Sequence, residues 1–126
     1  MDEQHHEELI KAIVKQLKPV LDRSPQGIYV YLDDAHKACN KKFADLLGYA
    51  SAQAWAKEEA PLADVVEEDQ PAVVAAYRNA SDNLIAGKLK VRVKNIKDKT
   101  ILNTDMIMVP VAQNRHVFVM HFLSKV

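Results

Sequence analysis

The sequence predicts an α+β domain in which helices cover one face of a five-stranded antiparallel sheet, preceded by an amphipathic helix. Apolar residues recur at helical spacing near the N-terminus, and two strand-like runs follow directly. The last forty residues consist of three further strand-like runs, the first of which alternates cleanly. Helical patterns fill the stretch between the two groups of strands. Strands and helices grouped in this way, without regular alternation, are typical of an α+β architecture.

The composition suits a single soluble domain. The chain has 126 residues, with 48% hydrophobic and 27% charged residues. The 17 basic and 17 acidic residues balance, which argues against a nucleic-acid partner. No apolar run approaches the roughly 20 residues that span a bilayer. The start MDEQHHEEL is unlike a secretory signal, and Cys39 has no partner for an internal disulfide, so we expect a cytoplasmic protein.

Residues 7–21 predict an amphipathic helix with one apolar face. Pro19 is expected to end or kink it. We divide the chain into this helix, residues 1–23, and a domain of residues 24–126. The apolar face comprises Leu9, Ile10, Ile13, Val14, Leu17 and Leu21.

The run IYVYL predicts a central strand, because both of its faces are apolar. We assign Ile28, Val30 and Leu32 to the interior and Tyr29 and Tyr31 to the outer face. A turn and a short strand at about residues 36–39 follow.

The next stretch predicts two short helices with clear ends. Asn40 is a good N-cap, and Gly48 stands where a helix end favours a left-handed residue. Ser51 can cap a second short helix that carries Trp55, and Pro61 ends it. Because the helix at 40–47 has only about two turns, packing of its apolar side chains must stabilise it.

A longer helix and a meander complete the pattern. Acidic residues and Pro71 favour a helix start near residue 70, and Gly87 is expected to end the helix at about residue 86. Its buried stripe is Val73, Tyr77, Ala80 and Leu84. KLKVRVKNI, ILNTDMIMVPV and HVFVMHFL then read as three antiparallel strands, with a turn near residues 97–99.

The order of these segments resembles the PAS domain family over residues 25–124. The matching stretches are PQGIYVYLDDAHKACN, NKKFADLLGYASAQAW, PLADVVEEDQPAVVAAY and the closing strands. The resemblance implies a sensor domain with a pocket between the sheet and the short helices. It also implies that the first helix covers the outer face of the sheet or pairs with a second copy.

We predict that ten residues line an apolar pocket for a small-molecule ligand. If the last strand has the other register, Val117, Val119 and His121 face inward instead, since a shift of one residue exchanges the faces. The ten residues are Ile28, Val30, Leu32, Phe43, Leu47, Tyr77, Val91, Phe118, Met120 and Phe122.

The sequence leaves the cofactor unknown. Flavin-type members of the family carry a reactive cysteine after the short helices, and EEAPLADVVEED has none. Cys39 is expected to be a small buried side chain. Haem-type members commonly use a histidine on the long helix, and residues 70–86 contain none. His121 is expected to be a packed or half-exposed strand residue.

We predict neither a metal site nor catalysis. His5 and His6 are adjacent in a helical tail and so do not share a face. No Gly-x-Ser-x-Gly elbow or phosphate-binding glycine loop occurs. An enzyme with a polar site remains a third interpretation, and it requires Asp105 and His121 to converge in one cleft.

Two polar features remain open. Asn103, Thr104 and Asp105 either contact a polar ligand or lie exposed near a hairpin end, and we favour exposure. The lysines and arginine of residues 88–94 either meet phosphates or an acidic partner surface, or form the solvated face of an edge strand, and we favour the latter.

We therefore predict a non-catalytic sensory module that binds a small molecule and relays the signal through contacts with a second copy or another protein. The expected assembly is a homodimer through the N-terminal helix, with an unknown signalling partner and no membrane contact. The alternative is a ligand-free protein-interaction or dimerisation module, which would have a filled core.

Overall fold

The computed structural model describes residues 2–113 and 115–126, with side chains from residue 5 onward. The helices are α1 (Asp2–Arg23), α2 (Lys41–Leu47), α3 (Ala52–Ala56) and α4 (Gln70–Asn83). Two short 3-10 turns, Pro61–Asp64 and Glu67–Asp69, connect α3 to α4. The strands are β1 (Gly27–Asp33), β2 (His36–Cys39), β3 (Gly87–Lys94), β4 (Ile101–Gln113) and β5 (His116–Lys125).

The five strands form one antiparallel sheet in the order β2-β1-β5-β4-β3. The last strand of the chain, β5, lies in the middle, between β1 and the long hairpin partner β4. The predicted α+β architecture is confirmed. No helix in the described part of the chain is long and apolar enough to cross a membrane.

Hydrophobic cores lie on both faces of the sheet. The inner core joins the sheet to α2, α3 and α4, with Phe43, Trp55 and Val73 among its buried residues. The outer core joins the sheet to α1 through buried residues that include Ile13 and Val30. A sheet covered on both faces explains why β1 is apolar on both faces.

The first helix is continuous through its proline. It continues through Pro19 to Arg23 instead of ending at the proline. Pro19 is exposed, whereas Leu21 beyond it is only 6% exposed and packs in the outer core. Burial of Leu21 offsets the backbone hydrogen bond that proline cannot donate.

The short helices have the predicted caps. The Asn40 side chain accepts a hydrogen bond from the backbone N–H of Phe43, and Gly48 has a left-handed φ of 80°. The Ser51 hydroxyl caps α3 in the same way, by accepting from the N–H of Ala54.

The long helix ends earlier than predicted. It stops at Asn83, and Leu84 adopts a left-handed conformation with φ 56°. Leu84 is 58% exposed, so its assignment to the buried stripe was wrong, whereas Val73 and Ala80 are buried as predicted. The glycine at Gly87 instead begins β3.

The predicted faces of β1 are reversed. Ile28 and Val30 pack in the outer core against α1, and Tyr29 packs against the inner core. Alternation alone could not decide between two apolar faces. The aliphatic stripe of α1 pairs with the aliphatic side of β1, which leaves the tyrosine side to the short helices.

Candidate ligand-binding pocket

A cavity of about 250 Å³ lies between the inner face of the sheet and the helices α2, α3 and α4. Its sheet side is formed by β1 and β5 at the centre, with contributions from β4 and β3. Its helical side includes the 3-10 turn that begins at Pro61. The position is the one that the PAS resemblance implied.

Aromatic rings form much of the sheet side of the cavity. Tyr29 and His121 are directly opposite each other in the β1–β5 pairing. Their rings stack at a centroid distance of 3.9 Å and an interplanar angle of 9°. Tyr31, Met106 and Leu123 line the cavity beside them.

The helical side adds more rings. Phe43 on α2 and Trp55 on α3 pack edge to face at 5.1 Å, and both line the cavity. Tyr77 on α4 lies nearly parallel to His121, with ring centroids 6.4 Å apart and 10° between the planes. Flat rings with accessible faces favour stacking with other rings or with cations.

His121 is a neutral histidine at the base of this cavity. It is 2% exposed, and burial lowers its pKa to about 3 because the charged imidazolium loses its hydration. Its Nδ1 lies 3.1 Å from the carbonyl oxygen of Val119. A carbonyl only accepts, so Nδ1 carries the proton and Nε2 is the acceptor of the ring.

Two carboxylates also line the cavity. Asp34 accepts a hydrogen bond from the Tyr31 hydroxyl, and Asp64 accepts one from the Tyr49 hydroxyl. Burial raises the pKa of Asp64 above its usual range. Among the described residues that line the cavity there is no lysine or arginine. The polar groups therefore offer acceptors and negative charge.

The structure brings three of the ten predicted pocket residues to the cavity. Phe43, Leu47 and Tyr77 line it. Val91 belongs to the same inner core without lining the cavity. The other six lie together on the opposite face, packed around α1; they are Ile28, Val30, Leu32, Phe118, Met120 and Phe122.

The six residues were misplaced for one reason. The prediction assigned the wrong faces of β1 and β5 to the pocket. Ile28 pairs with Phe122, and Val30 with Met120, so the misplaced residues of β1 and β5 lie together on one face of the sheet. The set as a whole faces α1 and packs against the aliphatic stripe of that helix. The alternative considered for β5, with Val119 and His121 facing the short helices, is the observed one.

Sequence reasoning missed most of the aromatic lining. Tyr29, Tyr31 and Trp55 were placed outside the pocket, or were not considered for it. A usable signal was present, because tyrosine and histidine on a buried strand carry polar atoms that need a partner or a cavity. The alternate positions carry side chains without polar atoms, so they need neither and suit the interface with α1.

The polar features of β3 and β4 do not form a second site. Asp105 is on the outer face of the sheet, one position from the inner-facing Met106, whereas His121 faces inward, so the pair required for an enzyme does not converge. Thr104 is 1% exposed and donates to the Val91 carbonyl. Lys90 pairs with Asp105 at 3.3 Å on the exposed face of the edge strand.

Solved structures with the same architecture are PAS domains. A PAS domain from Colwellia psychrerythraea matches with a TM-score of 0.73 and 20% identity, covering 90% of this chain and 97% of that one. The PAS domain of the fruit-fly ELK potassium channel matches with a TM-score of 0.67 and 17% identity, covering 90% and 96%. The chain has a PAS fold.

A third PAS-fold match shows how widely this architecture is shared. The Rhodobacter sphaeroides LOV protein matches with a TM-score of 0.69 and 14% identity, covering 92% of this chain and 68% of that one. No family model and no curated protein matches the sequence. Similarity at these identities shows the PAS fold alone, because one fold serves many different functions.

Proposed function

We propose that this PAS-fold protein is a non-catalytic sensory module that binds a small, neutral or cationic, ring-containing molecule. The observation that carries the proposal is the aromatic cavity around Tyr29, Tyr77 and His121, with two carboxylates and no described cationic side chain in its lining. Sensor proteins with a PAS fold place their ligands between sheet and helices, where this cavity lies.

The volume limits the ligand to one or two rings. A cavity of roughly 150 Å³ holds benzene, and drug-sized ligands occupy pockets of about 300–1,000 Å³. The 250 Å³ available here falls between these values. An indole-sized ring system is of the size that this volume indicates.

The charges of the lining select against anions. Asp34 and Asp64 lower the electrostatic potential of the cavity, and the neutral His121 adds no positive charge to it. An ammonium group would gain from the carboxylates and from the rings of Tyr31 and Tyr77, whereas the Trp55 ring already has Nζ of Lys37 at 5.3 Å from its centroid. A ligand carboxylate would have to be buried without a described cationic partner.

The same two strands connect the cavity to α1. On β1 and β5, Tyr29 and His121 face the cavity, whereas the next pair, Ile28 and Phe122, faces α1. A ligand that shifts the Tyr29–His121 pair therefore also shifts the surface on which α1 packs. We propose that ligand binding changes the docking of α1, and that a partner reads this change.

We retain three further expectations as parts of this proposal. Residues 1–23 act as a regulatory cap on the domain formed by residues 24–126. A homodimer would use the side of α1 that faces solvent, where Val20 is 47% exposed, because Leu9 and Ile13 are 4% and 2% exposed within one chain. A cytoplasmic location is compatible with the buried free thiol of Cys39.

The decisive experiment compares three probes that share one ring system. Indole is neutral, tryptamine is a cation and indole-3-acetate is an anion, and calorimetric titration measures each affinity. Val74→Trp, which places bulk in the cavity lining, should abolish binding. Ala72→Trp, on the exposed side of the same helix, is the matched control and should bind as the wild type does.

We expect tryptamine and indole to bind at least tenfold more tightly than indole-3-acetate. Equal binding by Val74→Trp and the wild type would place the site elsewhere. Failure of all three probes to bind would favour the alternative function, a ligand-free interaction module. Ile101 and Ile107, 51% and 36% exposed, would then be the first residues to test for partner contact.

A further inference from the structure

Histidines from three parts of the chain meet at one end of the sheet. Asp33 ends β1, His36 begins β2, and His116 begins β5, the strand on the other side of β1. The first turns of α1 lie across the same end and bring His5 and His6. The sequence placed these two histidines in an isolated tail, and the structure instead gives both of them partners from the sheet.

The tightest part of the cluster is His6, Asp33 and His36. Nδ1 of His6 lies 3.2 Å from Oδ2 of Asp33, and Nδ1 of His36 lies 2.7 Å from Oδ1 of the same carboxylate. One potential ligand atom from each of the three residues lies within 4.8 Å of the others. The His36 side chain is 10% exposed and that of His6 is 29% exposed.

The imidazoles of His5 and His116 lie next to this group of three residues. The Nε2 atoms of His5 and His116 are 3.2 Å apart, and the His116 ring centroid is 5.3 Å from that of His6. The rings of His6 and His36 are 5.5 Å apart. Four histidines and one carboxylate therefore lie side by side, at the junction of α1 with the end of the sheet.

We propose that His6, Asp33 and His36 bind a divalent transition-metal ion of the zinc type. Each imidazole would coordinate through Nδ1, with its proton on Nε2, and the carboxylate would supply one oxygen. The fourth position is filled by water or by His116. Nitrogen and carboxylate oxygen are ligands that zinc accepts in a tetrahedral site.

The spacing of the cluster agrees with such a site. Tetrahedral ligands at about 2.0–2.1 Å from zinc are roughly 3.3 Å from one another, and imidazoles bound in this way have ring centroids about 5.2 Å apart. The two nitrogen–oxygen distances are 3.2 and 2.7 Å, and the His6 ring centroid is 5.5 Å from that of His36 and 5.3 Å from that of His116. Coordination therefore requires only small side-chain movements.

Charge also favours a cation here. The Asp33 carboxylate lies against Nδ1 of both His6 and His36 and accepts a hydrogen bond from the Ala35 N–H, so its oxygens face the centre of the cluster. Neutral imidazoles contribute lone pairs and no charge. The two partners of Asp33 come from α1 and β2, so a bound ion would fasten the start of α1 to the β1–β2 turn.

The test uses tag-free protein, so that no added histidines compete for the metal. Competition titration with a chelating indicator measures Zn²⁺ affinity and stoichiometry, and the visible spectrum of Co²⁺ reports tetrahedral geometry. The variants are His6→Ala, His36→Gln and the control Glu7→Gln, an exposed neighbour on α1. Circular dichroism without metal checks that each variant is folded.

We expect one Zn²⁺ per chain, a tetrahedral Co²⁺ spectrum, and at least a tenfold loss of affinity in His6→Ala and His36→Gln. Glu7→Gln should bind as the wild type does. Equal affinity in wild type and His6→Ala would overturn the proposal, and so would absence of Zn²⁺ binding, which would leave ordinary histidine–carboxylate hydrogen bonds. If His36→Gln does not fold, the Zn²⁺ affinity of His6→Ala, at a partly exposed position, decides the test. The result is independent of the aromatic cavity.

Discussion

The His121 ring stacks on the Tyr29 ring, with centroids 3.9 Å apart and planes 9° apart, beneath the cavity. The two residues are direct partners in the β1–β5 pairing, at the middle of the sheet. His121 is therefore held neutral between an aromatic ring and the inner core. Because both residues line the cavity and also pair within the sheet, a change in the charge of His121 should affect the stability of the fold.

Protonation of His121 should make the fold acid-sensitive. Its pKa is about 3 in the folded chain, against 6.5 for an unperturbed histidine, so the unfolded chain binds more protons between these values. The contribution to stability is complete above the unfolded pKa and is lost as the pH falls from about 6.5 toward 3, at up to about 1.4 kcal/mol per pH unit.

Urea unfolding of wild type and His121→Gln at several pH values between 7.5 and 4.5 measures this difference. The variant should be less stable at pH 7.5, and the gap should narrow as the pH falls. Parallel curves for the two proteins would show that His121 is not buried in its neutral form.

Replacement of Asn40 should be among the most destabilising polar changes. Its side chain accepts from the N–H groups of Ile28 and Phe43, and donates to the carbonyls of Leu21 and Gln26, at 2.9 to 3.1 Å. Asn40→Ala leaves four backbone groups unpaired near the core, and at about 1 kcal/mol each we expect a loss of roughly 3–4 kcal/mol.

Ser51→Ala is the control for the capping contribution of Asn40. Ser51 caps α3 with one exposed hydrogen bond, so its loss should cost only about 1 kcal/mol. Chemical denaturation measures both values, and equal costs would show that the extra contacts of Asn40 contribute little.

Gly48 should tolerate no side chain. Its φ of 80° is left-handed, and a Cβ built there would lie 2.3 Å from Oδ1 of Asn95. Asn95 cannot easily move, because that oxygen accepts from the N–H groups of Lys97 and Asp98 in the β3–β4 turn. We expect Gly48→Ala to cost roughly 1–3 kcal/mol.

Gly87→Ala offers the matched comparison, since nothing lies within 4 Å of a Cβ at that position. Its cost should stay below about 0.5 kcal/mol, as is usual for surface changes. Thermal melts of both variants suffice, and a Gly48→Ala melting temperature equal to that of the wild type would contradict the close approach.

The apolar face of α1 should contribute to the stability of the single chain. Ile13 is 2% exposed and packs in the outer core, so Ile13→Ala should lower the free energy of unfolding by roughly 2–4 kcal/mol. Val20→Ala, at a 47% exposed site on the same helix, should change it by less than about 0.5 kcal/mol.

Denaturation at two protein concentrations distinguishes a contact within the chain from one between chains. The cost of Ile13→Ala should not depend on concentration. A cost that shrinks on dilution would mean that α1 instead packs on a second copy, because dilution would remove that contact from the wild type as well.

The sequence predicts the fold well because local signals there agree with one another. Helix ends are specified by the capping side chains of Asn40 and Ser51 and by the backbone freedom of Gly48. The strands of the meander are indicated by their alternation of apolar and polar residues. Two helix ends were misjudged. Burial of Leu21 lets α1 continue through Pro19, and α4 ends before residue 86 because Leu84 adopts a left-handed conformation without being a glycine.

The candidate site was predicted only in part, for a tertiary reason. Phe43, Leu47 and Tyr77 follow from helix faces, which a sequence defines. The faces of β1 and β5 depend on which helices each side packs against, and two apolar faces give no local preference. The cluster of His6, Asp33 and His36 joins residues from α1 and the sheet, so spacing along the chain could not predict it.

The most direct test of the account is the face of the sheet on which a ligand binds. Met106 and Met108 face the inner core, whereas Met120 faces α1, so methionine methyl groups labelled with ¹³C report the two faces separately. With tryptamine bound, we predict nuclear Overhauser contacts from its ring protons to the Met106 methyl group and none to Met120. Contacts to Met120 would place the ligand beneath α1 and contradict the pocket described here.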